Sequence, residues 1–184
     1  MDCFELQRQK WFVGRLLSSD KTALKNRIDG YQAYGATGGA MATQWSWYML
    51  SPNWNTIWSG ESVPGSYSDL TYIQSNGAPR LRKVAILMTD GGYDSLRGWK
   101  DQDQQQVSND AIQVCTAMKA KGIEVYTIGF ALNQLPVAQQ PIATATLKSC
   151  GTDIKHFYQT ISTADLQVAF KDIGSKLTGL RLTH

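Results

Sequence analysis

The stretch that most constrains the fold is an unbroken apolar run, Val84-Ala85-Ile86-Leu87-Met88, which follows two basic residues. A short apolar run bounded by turn residues predicts a strand buried on both faces, as in a parallel sheet. Asp90 follows this run and is itself followed by two glycines, which let the backbone turn sharply away. Ligands of open α/β sheets bind outside the carboxyl ends of the strands. The sequence therefore places the Asp90 carboxylate where a site is expected, and a simple Asp-Gly turn is the alternative.

The second half of the chain alternates strand-like and helix-like segments. Strands are predicted over residues 123–130 and 155–159, with a helix around residues 143–148 between them. Ser162 and Asp165 have the spacing of a capping box that begins the last helix. This alternation predicts an α/β fold of the Rossmann-like, doubly wound type, with a mainly parallel sheet and flanking helices. Two apolar rows at helical spacing are predicted to face the core: Val107, Ala111, Cys115 and Met118, then Leu166, Phe170, Ile173 and Leu177.

The first half of the chain has a less regular pattern. Asp20 is a predicted helix N-cap, and a glycine-rich turn carrying Thr37 precedes a second helix. Residues 53–80 are rich in Ser, Asn, Gly, Pro and aromatic residues, and we predict a long loop there. Long loops in compact domains are often functional. Residues 1–15 show no clear periodicity, so their structure stays open.

Length, composition and charge exclude several classes of protein. The chain has 184 residues, 42% of them hydrophobic, which suits one globular domain over residues 1–184. The net charge is +3 with Lys and Arg scattered, which argues against a nucleic-acid partner. No apolar run approaches the roughly 20 residues that a membrane-spanning helix needs. Aromatic residues are concentrated between Trp45 and Tyr72, where Trp54 and Trp58 are the candidates for an exposed partner-binding surface.

Several motifs in this sequence resemble those of one family. The strand Lys83–Asp90 (KVAILMTD) with Gly91, and the later segment Cys115–Phe130, resemble von Willebrand factor A domains. The run Trp45–Pro52 (WSWYMLSP) is more specific, because it resembles the C-terminal region of Tad-type pilus-assembly proteins of the TadG kind. The resemblance covers roughly residues 16–182 and includes Ser19-Asp20-Lys21, Leu147-Lys148-Ser149-Cys150 and the spacing of Leu166, Ala169, Phe170 and Ile173.

The resemblance implies a divalent-cation site in the crevice at the strand ends. In this family an Asp-x-Ser-x-Ser motif, a threonine and an aspartate before glycine supply oxygen ligands, which suit Mg²⁺ or Ca²⁺. Thr37 and Asp90 match the threonine and the aspartate, and Gly38, Gly91 and Asp94 would form a partner-binding surface beside them. The Asp-x-Ser-x-Ser motif is absent from the sequence. We therefore expect Mg²⁺ or Ca²⁺ binding to be weak or absent, and turn residues kept without a metal are the alternative.

The missing motif also implies a missing strand. In A domains the strand that carries the motif lies in the middle of the sheet, beside the strand that corresponds to residues 84–88. Without it, one edge of that strand has unpaired backbone groups, which invite pairing with another chain. We expect this edge to be covered, either by residues 3–13 or by a second copy of the chain. Whether the chain is a fragment stays open.

The three cysteines indicate whether the protein resides in an oxidising or a reducing compartment. Cys115 lies on the predicted core face of one helix, and Cys150 ends the next helix. Such helices can be neighbours on a sheet, so a disulfide is reasonable, and two buried free thiols are the alternative. A bond closing a loop of about 35 residues contributes roughly 3–4 kcal/mol in the chain-entropy model, and disulfides persist in oxidising compartments. Cys3 is left over, which indicates a partner in a missing part or an intermolecular link.

Three functional hypotheses follow from these observations. The first is a non-enzymatic, adhesion-type interaction domain of a bacterial pilus-assembly protein. The resemblance places such a domain in the cell envelope, outside the cytoplasmic membrane, where an upstream anchor holds it and another pilus or envelope component binds it. The second is a metal-free structural assembly module that uses the aromatic loop. The third, ranked last, is a carboxylate-assisted hydrolase using Asp90 and Asp94, for which no general base or oxyanion partner is evident.

Overall fold

The computed structural model describes residues 18–31, 37–93 and 103–178. Within these ranges, three parallel strands form one sheet in the order β1 (Val84–Thr89), β2 (Glu124–Phe130) and β3 (Phe157–Thr160). The predicted α/β class, with a parallel sheet and flanking helices, is confirmed, and the arrangement is consistent with a von Willebrand factor A-like fold. The α-helices are α1 (Lys21–Asp29), α2 (Gly39–Leu50), α3 (Gln104–Ala120), α4 (Gln140–Cys150) and α5 (Thr163–Thr178).

Helices cover both faces of the sheet. Side chains alternate along a strand, so neighbouring residues of β2 face opposite layers. Val125 packs in one buried cluster with Met118 of α3, whereas Ile128 packs in another with Ile173 of α5. Thr127, on the same face as Val125, donates its hydroxyl to the Leu147 carbonyl of α4 at 2.9 Å. Helices α3 and α4 therefore lie on one face and α5 on the other, as in a doubly wound fold.

Strand β1 is less covered than its sequence predicts. Ala85 and Leu87 are buried, but Ile86 is 40% exposed and Met88 is 47% exposed. The prediction of burial on both faces is therefore wrong for this strand. Among the described residues, β1 pairs with β2 and with no other strand, and the α5 layer packs over β2 and β3. Ile86 and Met88 lie beyond the edge of the α5 layer, which is why they are exposed.

The helix boundaries follow local capping chemistry. The Asp20 carboxylate accepts hydrogen bonds from the backbone of Thr22 and Ala23, as an N-cap does. Ser162 and Asp165 exchange side-chain and backbone hydrogen bonds, so the predicted capping box is present.

The apolar rows were predicted with unequal success. The predicted row of α3 is fully buried, as the sequence indicated. On α5 one predicted core residue, Phe170, is 43% exposed, whereas its neighbour Ala169 is 3% exposed. The buried row therefore runs through Ala169 and Ile173, and the prediction for Phe170 is wrong. A phenylalanine at that position lies on the flank of the helix, where this face of the sheet offers no cover.

The disulfide is present between α3 and α4. The sulfur atoms of Cys115 and Cys150 are 2.08 Å apart, and their Cα atoms are 5.0 Å apart. Both residues are fully buried, so the alternative of two free thiols is not what the structure shows. Lys119 donates its ammonium to the carbonyls of Ser149 and Gly151, at 2.6 and 3.0 Å, which adds a second link between the two helix ends. No helix in the described ranges is both long and apolar enough to cross a bilayer.

The predicted loop over residues 53–80 consists of short turns. Three 3₁₀ turns, Pro52–Trp54, Gly60–Ser62 and Tyr67–Leu70, precede an isolated bridge between Ile73 and Pro79. The Trp47 indole of α2 donates to the Tyr67 hydroxyl at 3.0 Å, which fastens the segment to the helix layer. The loop is thus irregular but packed. The segments 1–15 and 3–13 considered above, including Cys3, lie outside the described residues.

Candidate functional site

The turn after β1 has a defined geometry. The Thr89 hydroxyl donates to the Gly91 carbonyl at 3.0 Å and accepts from the Gly91 amide at 3.1 Å. These bonds fold the backbone back on the strand end, and Asp90 at the tip of the turn is exposed. The Asp-Gly turn predicted from the sequence therefore presents a carboxylate to solvent at the carboxyl end of the sheet.

Thr37 lies beside this turn, although it is more than fifty residues earlier in the chain. A Cβ atom added to Gly91 would lie 3.2 Å from the Thr37 hydroxyl oxygen, which is closer than an ordinary van der Waals contact. Glycine therefore lets the Thr37 side chain approach the turn. The structure brings Thr37 together with the Asp90-Gly91 turn, which is the pairing that the family resemblance implied. Asp94, the third oxygen-bearing candidate, lies outside the described residues.

The first turn of helix α2 packs closely against Tyr93. A Cβ atom on Gly39 would lie 2.0 Å from the Tyr93 ring, so only glycine permits this contact. Tyr93 is buried, and burial raises the pKa of its hydroxyl despite an opposing hydrogen bond with Thr43. This contact fixes Gly38, the N-cap of α2, next to the turn. Tyr93 was not predicted from the sequence to position the helix, although its place just after the glycine pair is a signal for such a role.

The described residues do not make a complete cation site. Thr37 and Asp90 offer two protein oxygens, whereas Mg²⁺ and Ca²⁺ take six or more ligands. No group of three His, Cys, Asp or Glu side chains in the described ranges is arranged to hold a metal ion. The two residues suit a hard cation chemically, because both supply oxygen. Water or another molecule would have to supply most of the coordination shell.

A groove runs from this turn along β1. It has a volume of about 250 Å³ and lies between α2 and the strand. Its lining includes residues of β1 but none of β2, so the groove follows the side of β1 that faces away from its paired neighbour. The α2 side of the groove has small side chains: Gly38, Gly39, Ala42, Thr43 and Ser46.

The aromatic candidates lie elsewhere. Trp54 stacks on Tyr48 with ring centroids 4.1 Å apart, and Trp58 stacks on Trp54 at 6.5 Å. The Trp58 indole donates to the Tyr48 carbonyl at 3.1 Å, so both tryptophans are half-buried rather than freely exposed. The cluster follows the carboxyl end of α2, whereas Gly38 lies at its amino end. Tyr48, on which Trp54 stacks, is ten residues after Gly38, so the two candidate surfaces are about 15 Å apart along the helix.

A polar network occupies the amino end of the sheet. His156 lies between two carboxylates, with Nδ1 2.7 Å from Asp153 and Nε2 3.2 Å from Glu124. Glu124 also accepts from Arg82 and from the Tyr126 hydroxyl, both at 2.6 Å. Burial and the bond to Glu124 raise the pKa of Tyr126 to about 12. The network joins the segment before β1, the start of β2 and the turn before β3, at the opposite end of the sheet from Asp90.

The fold and these surfaces define a class of protein: an α/β domain with an oxygen-bearing turn at the carboxyl end of a parallel sheet. No protein-family profile matches the sequence, and no curated protein matches it. A similar solved structure is the vWF domain of the type V pili tip protein Mfa5 from Porphyromonas gingivalis, with 29% sequence identity and a TM-score of 0.35. The similarity covers 42% of this chain and 25% of that chain.

Proposed function

We propose that the chain is a non-enzymatic protein-interaction domain of a bacterial pilus-assembly protein of the Tad type. The observation that carries the proposal is the placement of the Thr37 hydroxyl against Gly91, beside the exposed Asp90. This turn lies at the carboxyl end of a parallel sheet, the position at which α/β folds bind their ligands. The sequence motifs that resemble TadG-like proteins supply the biological setting.

The polar groups favour binding over catalysis. His156 is the histidine of the described ranges, and its ring is engaged by Asp153 and Glu124 at the opposite end of the sheet. At the Asp90 turn, the described residues offer one carboxylate and one hydroxyl, whereas a carboxylate-assisted hydrolysis needs a second acid-base group or an oxyanion donor beside them. An exposed carboxylate next to a hydroxyl is suited to binding a partner's amide or cationic groups. A protein partner, another pilus or envelope component, is therefore the proposed ligand.

The disulfide supports a place outside the cytoplasmic membrane. Disulfides are stable in the periplasm and at the cell surface, and they are rare in the bacterial cytoplasm. The Cys115–Cys150 bond joins two core helices, so it belongs to the folded structure and not to a mobile segment. An anchor upstream of this domain is the proposed link to the membrane. Nucleic acid is not a proposed partner, because the net charge is only +3.

The role of a cation is a separate question within the same proposal. We propose that Mg²⁺ or Ca²⁺ binds weakly at Thr37 and Asp90, if a partner's carboxylate and water complete the shell. The alternative is a metal-free assembly module, which the half-exposed tryptophan cluster supports, since Trp54 and Trp58 offer aromatic surface to a partner.

Piliation of the source bacterium tests the proposal. The gene would be deleted and then complemented with the wild type, with Asp90→Ala, or with the control Asp29→Ala, whose carboxylate lies on the exposed helix α1. We expect the deletion to remove surface pili, counted by electron microscopy, and the wild type and control to restore them. Asp90→Ala is expected to restore few. A deletion strain with a normal number of pili would overturn the proposed function.

A further inference from the structure

Two glutamine side chains meet at Gly92, next to the Asp90 turn. A Cβ atom added to Gly92 would lie 2.1 Å from Nε2 of Gln104 and 3.8 Å from Oε1 of Gln139. Gly92 is buried, so only glycine leaves room for the Gln104 amide at this position. Gln104 is the first residue of α3, and Gln139 directly precedes α4. The amino ends of both helices therefore meet at the turn that follows β1.

The Gln104 amide has an unused donor. Its Nε2 atom is buried and has no hydrogen-bond partner among the described residues. The Ser108 hydroxyl, one turn later on the same face of α3, is buried and unpartnered in the same way. Buried polar atoms in folded proteins are nearly always paired, and an unpaired one costs stability. Two such atoms within one helical turn therefore point to a position where a further polar group binds.

The Gln139 amide complements this donor. Gln139 does not cap α4 through its side chain, so its Oε1 atom is an acceptor beside Gly92. The site thus offers one N–H donor and one oxygen acceptor that are close together but not bonded to each other. An amide fits such a pair, because its carbonyl accepts a hydrogen bond and its N–H donates one. A carboxylate fits less well, since it has no proton to donate to Gln139 and would lie near the Asp90 charge.

We propose that Gln104 and Gln139 bind a side-chain amide, of asparagine or glutamine, that the protein partner inserts at this position. The carbonyl of that amide accepts a hydrogen bond from Gln104 Nε2, and its N–H donates one to Gln139 Oε1. Because the Gln104 nitrogen is buried, a group at the end of a flexible side chain fits this position better than a segment of backbone. This assignment rests on the proposed function, to which it adds the chemical group that the interaction surface selects.

Photo-cross-linking from Gly38 tests whether Gln104 contacts the partner. The organism that encodes the chain would express it with a photo-reactive amino acid at Gly38, alone or combined with Gln104→Met, Gln104→Ala or the control Gln113→Met. Gln113 is exposed on the same helix. We expect each Gln104 variant to reduce the yield of the adduct with another envelope protein by more than about fivefold, because a hydrogen bond in a buried site is lost. The control should leave the yield unchanged.

The stability of the purified chain separates a binding role from a structural one. Methionine keeps the length of the side chain and removes the unpaired donor, so Gln104→Met should raise the urea midpoint or leave it unchanged. Gln104→Ala keeps the start of α3 intact if the methionine is not accommodated, because alanine favours the helix. Loss of the adduct with a retained midpoint is the expected result. A midpoint that falls in both variants together with the adduct would show a structural role and overturn the assignment.

The adduct itself identifies the group that the partner inserts. Mass spectrometry of the digested adduct should give a partner peptide that contains an asparagine or glutamine, and substitution of that residue by alanine should remove the adduct. An adduct that persists in both Gln104 variants, or that no such substitution in the partner removes, would overturn the assignment and leave the proposed function standing. If Gly38 gives no adduct in the otherwise wild-type chain, the proposed function fails and the assignment fails with it.

Discussion

The Lys83 ammonium donates to the Leu50 carbonyl at 2.7 Å. Lys83 precedes β1 and Leu50 ends α2, so this bond joins the strand and the helix that form the two walls of the groove. A cation at the carboxyl end of a helix is favoured by the helix dipole, and the ammonium also lies 5.5 Å from the centre of the Tyr67 ring. Burial lowers the pKa of Lys83, while the Asp69 carboxylate acts in the opposite direction.

Lys83→Met should destabilise the fold. The substitution keeps the length of the side chain but leaves the Leu50 carbonyl without its donor, which costs about 1–3 kcal/mol for a buried acceptor. Urea unfolding followed by circular dichroism measures the change. Lys171→Met, at an exposed position on α5, is the matched control and should leave stability unchanged. Equal stability of the two variants would show that the Lys83 bond contributes nothing.

Loss of the disulfide should cost more than loss of this single hydrogen bond. The bond closes a loop with a sequence separation of 35 residues. The double variant Cys115→Ala, Cys150→Ala should lose roughly 3–4 kcal/mol of unfolding free energy. Cys3→Ser is the control and should unfold like the wild type. The wild type can also be unfolded in urea with and without a thiol reductant. If the reductant does not lower the urea midpoint, the contribution assigned to this disulfide is wrong.

The network around His156 should make stability depend on pH in the acid range. The hydrogen bond with His156 lowers the pKa of Asp153. Burial raises the pKa of Glu124, but hydrogen bonds from Tyr126, Arg82 and His156 outweigh it, so this pKa is also below its ordinary value.

Both carboxyl groups therefore contribute stability that is complete above their unfolded pKa values and is lost as the pH falls through the lower folded values. The unfolding free energy should decline below about pH 4.5. His156→Ala should flatten this decline, because it removes a hydrogen bond from each carboxylate. Unfolding curves taken at several pH values check the prediction, and an identical acid dependence in the variant would contradict it.

Mg²⁺ should have little effect on thermal stability. A site with two protein oxygens is expected to have a Kd near or above the millimolar range, so millimolar Mg²⁺ adds less than about 0.5 kcal/mol. For a chain of this size that corresponds to a rise in Tm of no more than about 2 °C. A larger rise that disappears in Asp90→Ala would show that the site binds the cation more tightly than the described ligands account for.

Residues whose environment is set by local chemistry were predictable from the sequence. Ser162 and Asp165 form the expected capping box because both partners lie within one turn of the same helix. The disulfide was reasonable for a similar reason, since Cys115 and Cys150 lie on consecutive helices of one layer. The α/β class was predictable from the alternation of strand-like and helix-like segments. That alternation does not depend on the exact placement of any single residue.

Predictions that needed the neighbouring layer were less successful. Met88 was expected to be buried because the pattern of a strand does not reveal whether both of its faces are covered. Phe170 was assigned to the core because spacings of three and four residues fit two adjacent helix faces equally well. Trp54 was expected to be exposed from its polar neighbours, but Tyr48 of the preceding helix stacks on it. Lys83 was not identified, since its acceptor lies 33 residues earlier in the chain.

Photo-cross-linking in the organism that encodes the chain tests most directly the central claim, that a protein partner binds at the carboxyl end of the sheet. Gly38 and Gly174 are a matched pair for this purpose, because a Cβ atom at either position has no neighbouring atom within 4 Å. Gly38 lies beside the Asp90 turn, and Gly174 lies on α5. A photo-reactive amino acid at Gly38 should give an adduct with a different pilus or envelope protein, and one at Gly174 should not. Absence of any adduct from Gly38, or the same adducts from both positions, would contradict the account.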